Sequence, residues 1–220
     1  MNITDKITVT NEDNMALMAR YPDNFFDLAI VDPPYFENYG KKNYTGNDIS
    51  TTGIKRQTNK IKHWEVPNED YFKELFRVSK NQIIWGINYY AKYVPEFGRI
   101  VWDKQNESST FSKCELASHS FGVIVDKFSF RWNGMLQGDM KNKQIRIHPT
   151  EKPYQLYKFC LEKYAKPGDK ILDTHLGSGS IAIACHDYGF DLTACELDKD
   201  YYDSAVKRIT NHVGQQKLFL

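Results

Sequence analysis

The amino-acid sequence predicts an α/β fold with a mostly parallel β-sheet covered by helices on both faces. Apolar runs of four to six residues recur along the chain, and segments with helical periodicity alternate with them. At 220 residues, the chain is expected to form a single domain, residues 1–220. The runs predict seven strands, near 6–10, 27–31, 82–86, 99–102, 121–125, 169–173 and 191–195.

Periodicity defines the elements of the first half. Ile7-Thr8-Val9-Thr10 alternates apolar and polar residues, which indicates a half-buried strand, and a helix is expected near 13–20. Leu28-Ala29-Ile30-Val31 is a continuous apolar run, typical of a strand buried on both faces. A helix near 69–78 then precedes the strands of the middle segment.

The second half alternates helices and strands. A helix near 153–164 has Pro153 in its first turn and one apolar face, formed by Leu156, Phe159, Cys160 and Tyr164. Pro167-Gly168-Asp169 turns the chain into the next strand. Helices near 180–188 and 199–212 flank the last one.

Asp32-Pro33-Pro34-Tyr35 follows directly on the apolar run at 28–31, so a buried strand ends in a polar, aromatic tip. Proline fixes its own φ and pushes the residue before it toward extended geometry, which would hold the Asp32 carboxylate and the Tyr35 ring in fixed relative positions. Such a site suits a flat substrate that carries an amino group. Taken alone, the four residues also fit an ordinary turn.

A strand, a glycine loop and a helix follow one another between Lys170 and Cys185. The glycines of this loop let the backbone approach a ligand, and the helix N-terminus leaves N–H groups facing it. A further apolar strand ends in Glu196, at about the distance at which a ribose-binding acid follows dinucleotide loops. We therefore expect Glu196 to accept both hydroxyl groups of a ribose.

Four motifs make the chain resemble the amino-group DNA methyltransferases that use S-adenosylmethionine, specifically their β-ordered adenine-N6 branch. The motifs are Asp32–Tyr35, His148–Pro153, Asp173–Ser180 and Cys195–Glu196. The catalytic motif precedes the cofactor loop by over a hundred residues, the permuted order that defines this branch. The resemblance spans nearly the whole chain, and it implies a Rossmann-like class I methyltransferase fold.

The resemblance also implies residue roles. Asp32, Pro33, Pro34 and Tyr35 would be catalytic: the Asp32 carboxylate and the Pro33 carbonyl accept the N–H protons of the target amine, and Tyr35 stacks on the flipped-out base. Lys152 fits a cofactor contact and a solvated lysine ahead of a helix equally well. The expected S-adenosylmethionine-binding residues are Asp13, Asp32, Lys152, Asp173, His175, Gly177, Ser178, Gly179, Ser180, Glu196 and Leu197.

Two basic segments meet the requirement for a nucleic-acid site, although the formal net charge of the chain is only +1. Residues 36–62 carry six Lys or Arg against two acids, and residues 127–146 carry five against one, so each segment is at +4. Either could also be a solvated face. The candidate DNA-binding residues are Lys41, Lys42, Lys55, Arg56, Lys60, Arg131, Lys141 and Lys143.

Two loop regions are expected to serve the site. Residues 36–63 lack apolar periodicity and follow the catalytic tip, so we expect a mobile loop that closes on the substrate. With no large recognition domain, residues from about 126 to 147 would form a short target-recognition region.

Composition restricts the remaining classes. The four cysteines are far apart and form no Cys-x-x-Cys pair, and the histidines lack partners at ligand spacing, so no metal site is expected. The N-terminus lacks a leader pattern and no run approaches about 18 apolar residues, which favours a cytoplasmic protein without a membrane partner. A homodimer stays open.

The expected function is site-specific DNA adenine-N6 methylation, as in restriction–modification. Cytosine-N4 methylation is the first alternative, but the cytosine enzymes tend toward Ser-Pro-Pro-Tyr. RNA or protein-glutamine methylation is another, although those enzymes usually carry Asn in place of Asp32. A catalytically silent nucleic-acid-binding subunit is the third, and the intact site residues argue against it.

Overall fold

The structure, a computed structural model, describes residues 1–35, 65–107, 112–133, 136–141, 143–144, 146–148 and 150–215. The strands are β1 Ile7–Thr10, β2 Phe26–Val31, β3 Ser79–Trp85, β4 Gly98–Asp103, β5 Cys114–His119, β6 Val125–Ser129, β7 Trp132–Asn133, β8 Leu136–Gln137, β9 Lys170–Asp173 and β10 Asp191–Cys195. The helices are α1 Asn14–Met18, α2 Glu69–Val78, α3 Ile87–Tyr90, α4 Tyr154–Tyr164, α5 Ser180–Tyr188 and α6 Lys199–Val213.

The main sheet of the described residues has the order β1-β10-β9-β2-β3-β5-β4-β6, and β7 and β8 form a separate antiparallel pair. Strands β1, β10, β9, β2 and β3 are parallel neighbours, whereas β5 runs antiparallel to both β3 and β4. The carboxyl ends of the parallel strands therefore meet at one edge of the sheet, and the amino end of β5 lies at the same edge.

Each face of the sheet is covered by helices. Leu28 and Ile30 of β2 belong to a core that includes side chains of α4, α5 and α6, while Ala29 and Val31 belong to a second core that includes those of α1, α2 and α3. Burial of both faces explains the continuous apolar run of β2. The predicted α/β class, mostly parallel with helices on both faces, is confirmed.

The strand count and one strand position were predicted incorrectly. The described residues form an eight-stranded main sheet, with β5 at Cys114–His119, where the sequence offers no continuous apolar run. Of the predicted strand at 121–125, only Val125 belongs to a strand, as the first residue of β6; residues 121–124 form an irregular connection in which Val123 is 81% and Ile124 69% exposed. Apolar character was mistaken there for burial. The short helix α3 was also missed, because four residues are too few for a helical period.

The helices of the described segments are all too short or too polar to cross a lipid bilayer. Cys160, Cys185 and Cys195 are buried thiols, as expected, but Cys114 is exposed.

Candidate active site

The tip Asp32–Tyr35, which the sequence predicts to be catalytic, lies at the carboxyl end of β2 and is held from two sides. The Tyr35 hydroxyl donates to Asp32 Oδ1 at 2.7 Å, which joins the two ends of the motif. The buried Tyr90 of α3 donates its hydroxyl to the carbonyl of Pro33 at 3.2 Å and also contacts that of Pro34. The proline pair and these hydrogen bonds together fix the direction of the Asp32 carboxylate.

The ring of Tyr35 is closely packed. It stacks on Tyr89 with centroids 5.0 Å apart and planes 15° apart. Gly86, at φ +75°, lies so close that a Cβ there would be 2.1 Å from Tyr35 Cε1. Glycine is therefore required at position 86 both by backbone conformation and by the approach of the ring. Tyr89 is 42% exposed, so it carries the aromatic stack from the tip to the surface.

Lys152 reaches the catalytic tip. Its Nζ lies 2.5 Å from Asp32 Oδ2, donates to the Tyr35 hydroxyl at 2.9 Å, and lies 3.1 Å from Glu115 Oε2. Glu115, at the amino end of β5, is paired through its other oxygen with Lys104, which follows β4. The structure thus places Lys152 against the Asp32 carboxylate, in a row of alternating charges that sequence reasoning missed.

Burial and neighbouring charges have opposite effects on the pKa values of Asp32, Glu115 and Lys152. Burial raises the pKa of Asp32, and the Lys152 ammonium opposes that rise. Burial also acts to raise the pKa of Glu115, but Lys152 and Lys104 outweigh it and bring the pKa to about 2. For Lys152, burial acts to lower the pKa, and the Asp32 and Glu115 carboxylates more than compensate, so it is raised. The cation is consequently retained although the side chain is only 3% exposed.

The proposed cofactor half lies at the ends of β9 and β10, directly beside β2 in the sheet. Asp173 Oδ1 accepts the backbone N–H of His175 at 3.0 Å, and the two oxygens of Glu196 accept those of Gly177 and Asp198, both at 2.9 Å. Burial raises the pKa of Asp173 to about 8, with its neighbouring carboxylates adding to the rise. A cation that binds beside Asp173 would lower this pKa and favour the ionised carboxylate.

The two glycines of the loop have different surroundings. A Cβ at Gly177 would have only ordinary van der Waals neighbours, His175 and His148. A Cβ at Gly179 would lie 2.9 Å from Ile209 of α6. The space around Gly177 would allow a ligand to approach the backbone, whereas Gly179 is small so that α5 can pack against α6.

His175, a predicted cofactor residue, carries a hydrogen-bonded imidazole. Its Nε2 lies 3.1 Å from Asn14 Nδ2, and its Nδ1 lies 2.9 Å from the Thr174 hydroxyl. Because the Asn14 amide donates, Nε2 accepts and the proton is on Nδ1. Burial lowers the pKa of His175 to about 3, so the ring is neutral. The Tyr71 hydroxyl extends this hydrogen-bond network, because its oxygen lies 2.7 Å from that of the Thr174 hydroxyl.

The remaining predicted cofactor residues differ in their contacts and in their exposure. Asp13 caps α1 by accepting the N–H groups of Met15 and Ala16, which is a structural role in this state. Leu197 is 69% exposed beside Glu196. Ser178 and Ser180 are buried, with their hydroxyl oxygens 3.0 Å apart.

Arg208 of α6, which sequence reasoning missed, ties this loop to the segment before α4. It donates to the Ser178 carbonyl at 2.9 Å, to the Ser180 hydroxyl at 3.1 Å and to Gln144 Oε1 at 3.0 Å, and it lies 3.3 Å from the Glu151 carboxylate. The glycine loop and the predicted target-recognition region therefore share one guanidinium.

The predicted DNA-binding residues fall into two groups. Arg131, Lys141 and Lys143 are exposed, as a phosphate contact requires. Lys41, Lys42, Lys55, Arg56 and Lys60, together with the whole of the predicted mobile loop 36–63, lie outside the described residues. Over the segments that the structure describes, no cluster of three or more His, Cys, Asp or Glu is arranged to hold a metal ion.

A three-layer α/β fold with an acid-ended strand β2, a glycine loop after β9 and an acid after β10 defines a class I methyltransferase. Comparison with known proteins agrees. Residues 103–207 match the DNA methylase family model N6_N4_Mtase. The type II methyltransferases M2.DpnII of Streptococcus pneumoniae and M.HinfI of Haemophilus influenzae are each 23% identical, over 93% and 94% of this chain and 90% and 70% of their own lengths.

Solved structures show the same fold. The complex of M1.HpyAVI with SAM superposes with a TM-score of 0.59 at 18% identity, covering 91% of this chain and 98% of that chain. The cytosine-N4-specific PvuII DNA methyltransferase gives 0.57 at 13% identity, over 94% and 93%. The family-model match and the type II relatives support an S-adenosylmethionine-dependent DNA methyltransferase of the N6/N4 type.

Proposed function

We propose that the protein methylates the exocyclic N6 amine of adenine in DNA, with Asp32 orienting the amine. The observation that carries this proposal is the juxtaposition of the Asp32–Tyr35 tip with the Asp173 and Glu196 carboxyl groups at neighbouring strand ends. The adenine assignment, as opposed to cytosine, rests on Asp rather than Ser at the first position of the motif.

The cofactor half has the donor set that S-adenosylmethionine needs. Glu196 keeps lone pairs for ribose hydroxyls, Gly177 leaves space for close approach, and the buried Asp173 gains an ionic partner when a cation binds. When bound, the cofactor supplies an electrophilic methyl group. The protein's own task is then to present a nucleophilic nitrogen in line with that methyl group.

The tip performs this task through hydrogen bonding. An exocyclic amine delocalises its lone pair into the ring, and acceptors on both N–H groups draw the nitrogen toward tetrahedral geometry. Asp32 uses one lone pair on each oxygen for Tyr35 and Lys152, so the carboxylate still has acceptor capacity. The Pro33 carbonyl likewise has a second lone pair beside its bond from Tyr90.

A base inside a duplex cannot reach this geometry, so the target base must be extruded and held by stacking. The Tyr35 ring already contacts Gly86 and stacks on Tyr89. We infer that the half-exposed Tyr89 either moves aside or meets the base itself. The exposed Arg131, Lys141 and Lys143 would contact the flanking phosphates, with residues 36–63 acting as the closing loop.

Labelled methyl transfer to duplex DNA, single-stranded DNA and RNA, followed by nucleoside analysis, tests the proposal. We expect N6-methyladenine in DNA. N4-methylcytosine would make the protein a cytosine enzyme, and label in RNA alone or in no nucleic acid would contradict the proposal.

Asp32→Ala should lower the methyl-transfer rate by about a hundredfold while leaving cofactor affinity within a few-fold, the scale for losing one oriented electrostatic partner. Asp27→Asn is the matched control: Asp27 lies on the same strand at its other end, paired with Lys80 at 2.6 Å. Full activity of Asp32→Ala would exclude the role given to this carboxylate.

The names of the type II relatives support a place in restriction–modification, and we propose cytoplasmic action in that setting. A homodimer is tested by the sedimentation of the protein over a range of concentrations.

A further inference from the structure

We propose that Glu115 is a positioning residue for methyl transfer: together with Lys104 it fixes the Lys152 ammonium against Asp32 and balances its charge. The inference rests on the proposed function, because it concerns the carboxylate that would orient the target amine.

The geometry is a linear alternation of charges. Lys104 pairs with one oxygen of Glu115, the other oxygen lies 3.1 Å from Lys152 Nζ, and Nζ lies 2.5 Å from Asp32 Oδ2. The four groups come from four places in the sequence: the ends of β2 and β4, the start of β5, and the segment before α4. The antiparallel direction of β5 is what brings its amino end, and Glu115, to the catalytic edge.

Burial makes the arrangement costly as a stability device. The side chains of Lys152, Lys104, Asp32 and Glu115 are only 3%, 16%, 16% and 22% exposed. Buried ion pairs are often no more stable than apolar residues of the same volume, whereas a buried charge without its partner is strongly destabilising. The Lys152 ammonium contacts two carboxylates, and Asp32 is only one of them. Glu115 is the other and is itself balanced by Lys104.

The net charge of the site matters because methyl transfer moves positive charge from the sulfur of the cofactor to the amine nitrogen beside Asp32. The amine lone pair becomes the new N–C bond, the electrons of the S–C bond return to sulfur, and the positive charge passes from sulfur to nitrogen until an N–H proton leaves to solvent. Without Glu115, the Lys152 and Lys104 ammoniums would outnumber the single Asp32 carboxylate, and this excess positive charge beside the nitrogen would oppose the transfer. With Glu115 and Lys104 in place, the four charges sum to zero.

Other ionisable groups face the same cluster. The hydroxyls of Tyr35, Tyr90 and Tyr157 have pKa values raised by burial, and burial lowers the pKa of His148 to about 4, so all four stay neutral near pH 7. Asp173, whose pKa burial raises to about 8, also interacts with Asp32 and Lys152. Its titration is common to every variant below, so the pH profile of each is read against the wild-type profile.

The experiment compares Glu115→Gln, Lys104→Met and the double variant in steady-state methyl transfer over pH 5–10. Glu115→Gln leaves one excess positive charge, so kcat should fall about tenfold or more while the KM for S-adenosylmethionine stays within twofold. Because Glu115 raises the pKa of Lys152, its loss should also move the alkaline limb of the kcat profile to lower pH. The double variant restores neutrality and should exceed Glu115→Gln in kcat.

Asp27→Asn is the matched control, since Asp27 also forms a lysine ion pair, with Lys80 at 2.6 Å, but lies at the opposite end of β2 from Asp32. Glu115→Asp, which keeps the charge but shortens the side chain by one methylene, should retain more of kcat than Glu115→Gln, and Lys104→Met, which also unbalances the four charges, carries the test if Glu115→Gln does not fold. Wild-type kcat and pH profile in Glu115→Gln, or additive losses in the double variant, would overturn the proposal.

An NMR titration of the Asp32 carboxyl and the Lys152 ammonium separates this inference from the proposed function, because it requires no turnover. A lower Lys152 pKa in Glu115→Gln supports the positioning role even if the wild-type protein methylates none of the nucleic acids tested. An unchanged Lys152 pKa overturns it even if the protein is an active methyltransferase.

Discussion

Replacing Asp173 by Asn should stabilise the protein and weaken its binding of S-adenosylmethionine. Asp173 is 2% exposed, and burial raises its pKa from 3.8 to about 8. The native protein therefore keeps a proton on this group between those two pH values, while the unfolded chain releases it. Asn has the same shape and keeps an oxygen for the N–H of His175, which Asp173 accepts at 3.0 Å.

The magnitude follows from proton linkage. The native state binds more protons than the unfolded state, so stability falls as pH rises from about 4 to about 8 and then levels off. Each unit of pKa difference corresponds to about 1.4 kcal/mol, so at pH 7 the roughly three units above the unfolded pKa amount to about 4 kcal/mol. Asn does not titrate, and its advantage should reach this size at pH 7 and vanish near pH 4.

Urea unfolding of the wild-type protein and Asp173→Asn at pH 4, 5.5, 7 and 8.5 measures this difference directly. The free energies should coincide near pH 4 and diverge with increasing pH. Calorimetry in buffers of different ionisation enthalpy should also show a proton released when the wild-type protein binds the cofactor near pH 7, and none released by the variant. A difference in stability that does not depend on pH would refute the assigned pKa.

Three further outcomes are expected. Glu196→Gln should weaken S-adenosylmethionine binding by about tenfold to a hundredfold, since a hydrogen bond to a charged group is worth roughly 1.5–3 kcal/mol, and unchanged calorimetric affinity would remove Glu196 from the cofactor site. Gly179→Val should lower the free energy of unfolding by about 1–3 kcal/mol, because its Cβ would meet Ile209. Adding Ile209→Ala to this variant should recover part of the loss. A normal melting temperature together with lost cofactor binding would instead indicate that Gly179 contacts the ligand. Lys141→Ala with Lys143→Ala should reduce the log–log salt slope of DNA binding by about two units without changing the methylated sequence, and an unaltered slope would place the phosphate contacts elsewhere.

Much of the fold followed from the sequence because the central parallel strands are buried on both faces. The run at Leu28–Val31 identifies β2, and Asp32 directly after it identifies the catalytic edge. Predictions failed where burial and apolar character diverge. β5 begins with the polar Cys114-Glu115, and the apolar Val123 and Ile124 lie in an exposed connection.

The candidate site was predictable only in part, for a related reason. Residues adjacent to the end of a strand, such as Asp32 and Glu196, were accessible to sequence reasoning. Glu115 was not, since its role depends on an antiparallel strand whose direction no local pattern encodes. Lys152 was recognised as a candidate site residue, but its ion pair with Asp32 arises from tertiary packing.

The pairing of β2 with β9 has a consequence for how the protein folds. Leu28 pairs with Ile171 and Ala29 with Leu172, so one adjacent pair of strands closes a loop of 143 residues. Contacts of such sequence separation form late, because the entropy of loop closure precedes any gain from them. The acid of β2 and the acids of β9 and β10 thus meet only when this closure is complete. A nascent chain that has emerged only as far as β6 has the amine-orienting tip but none of the cofactor loop, so ligand binding should appear as a single late event in refolding.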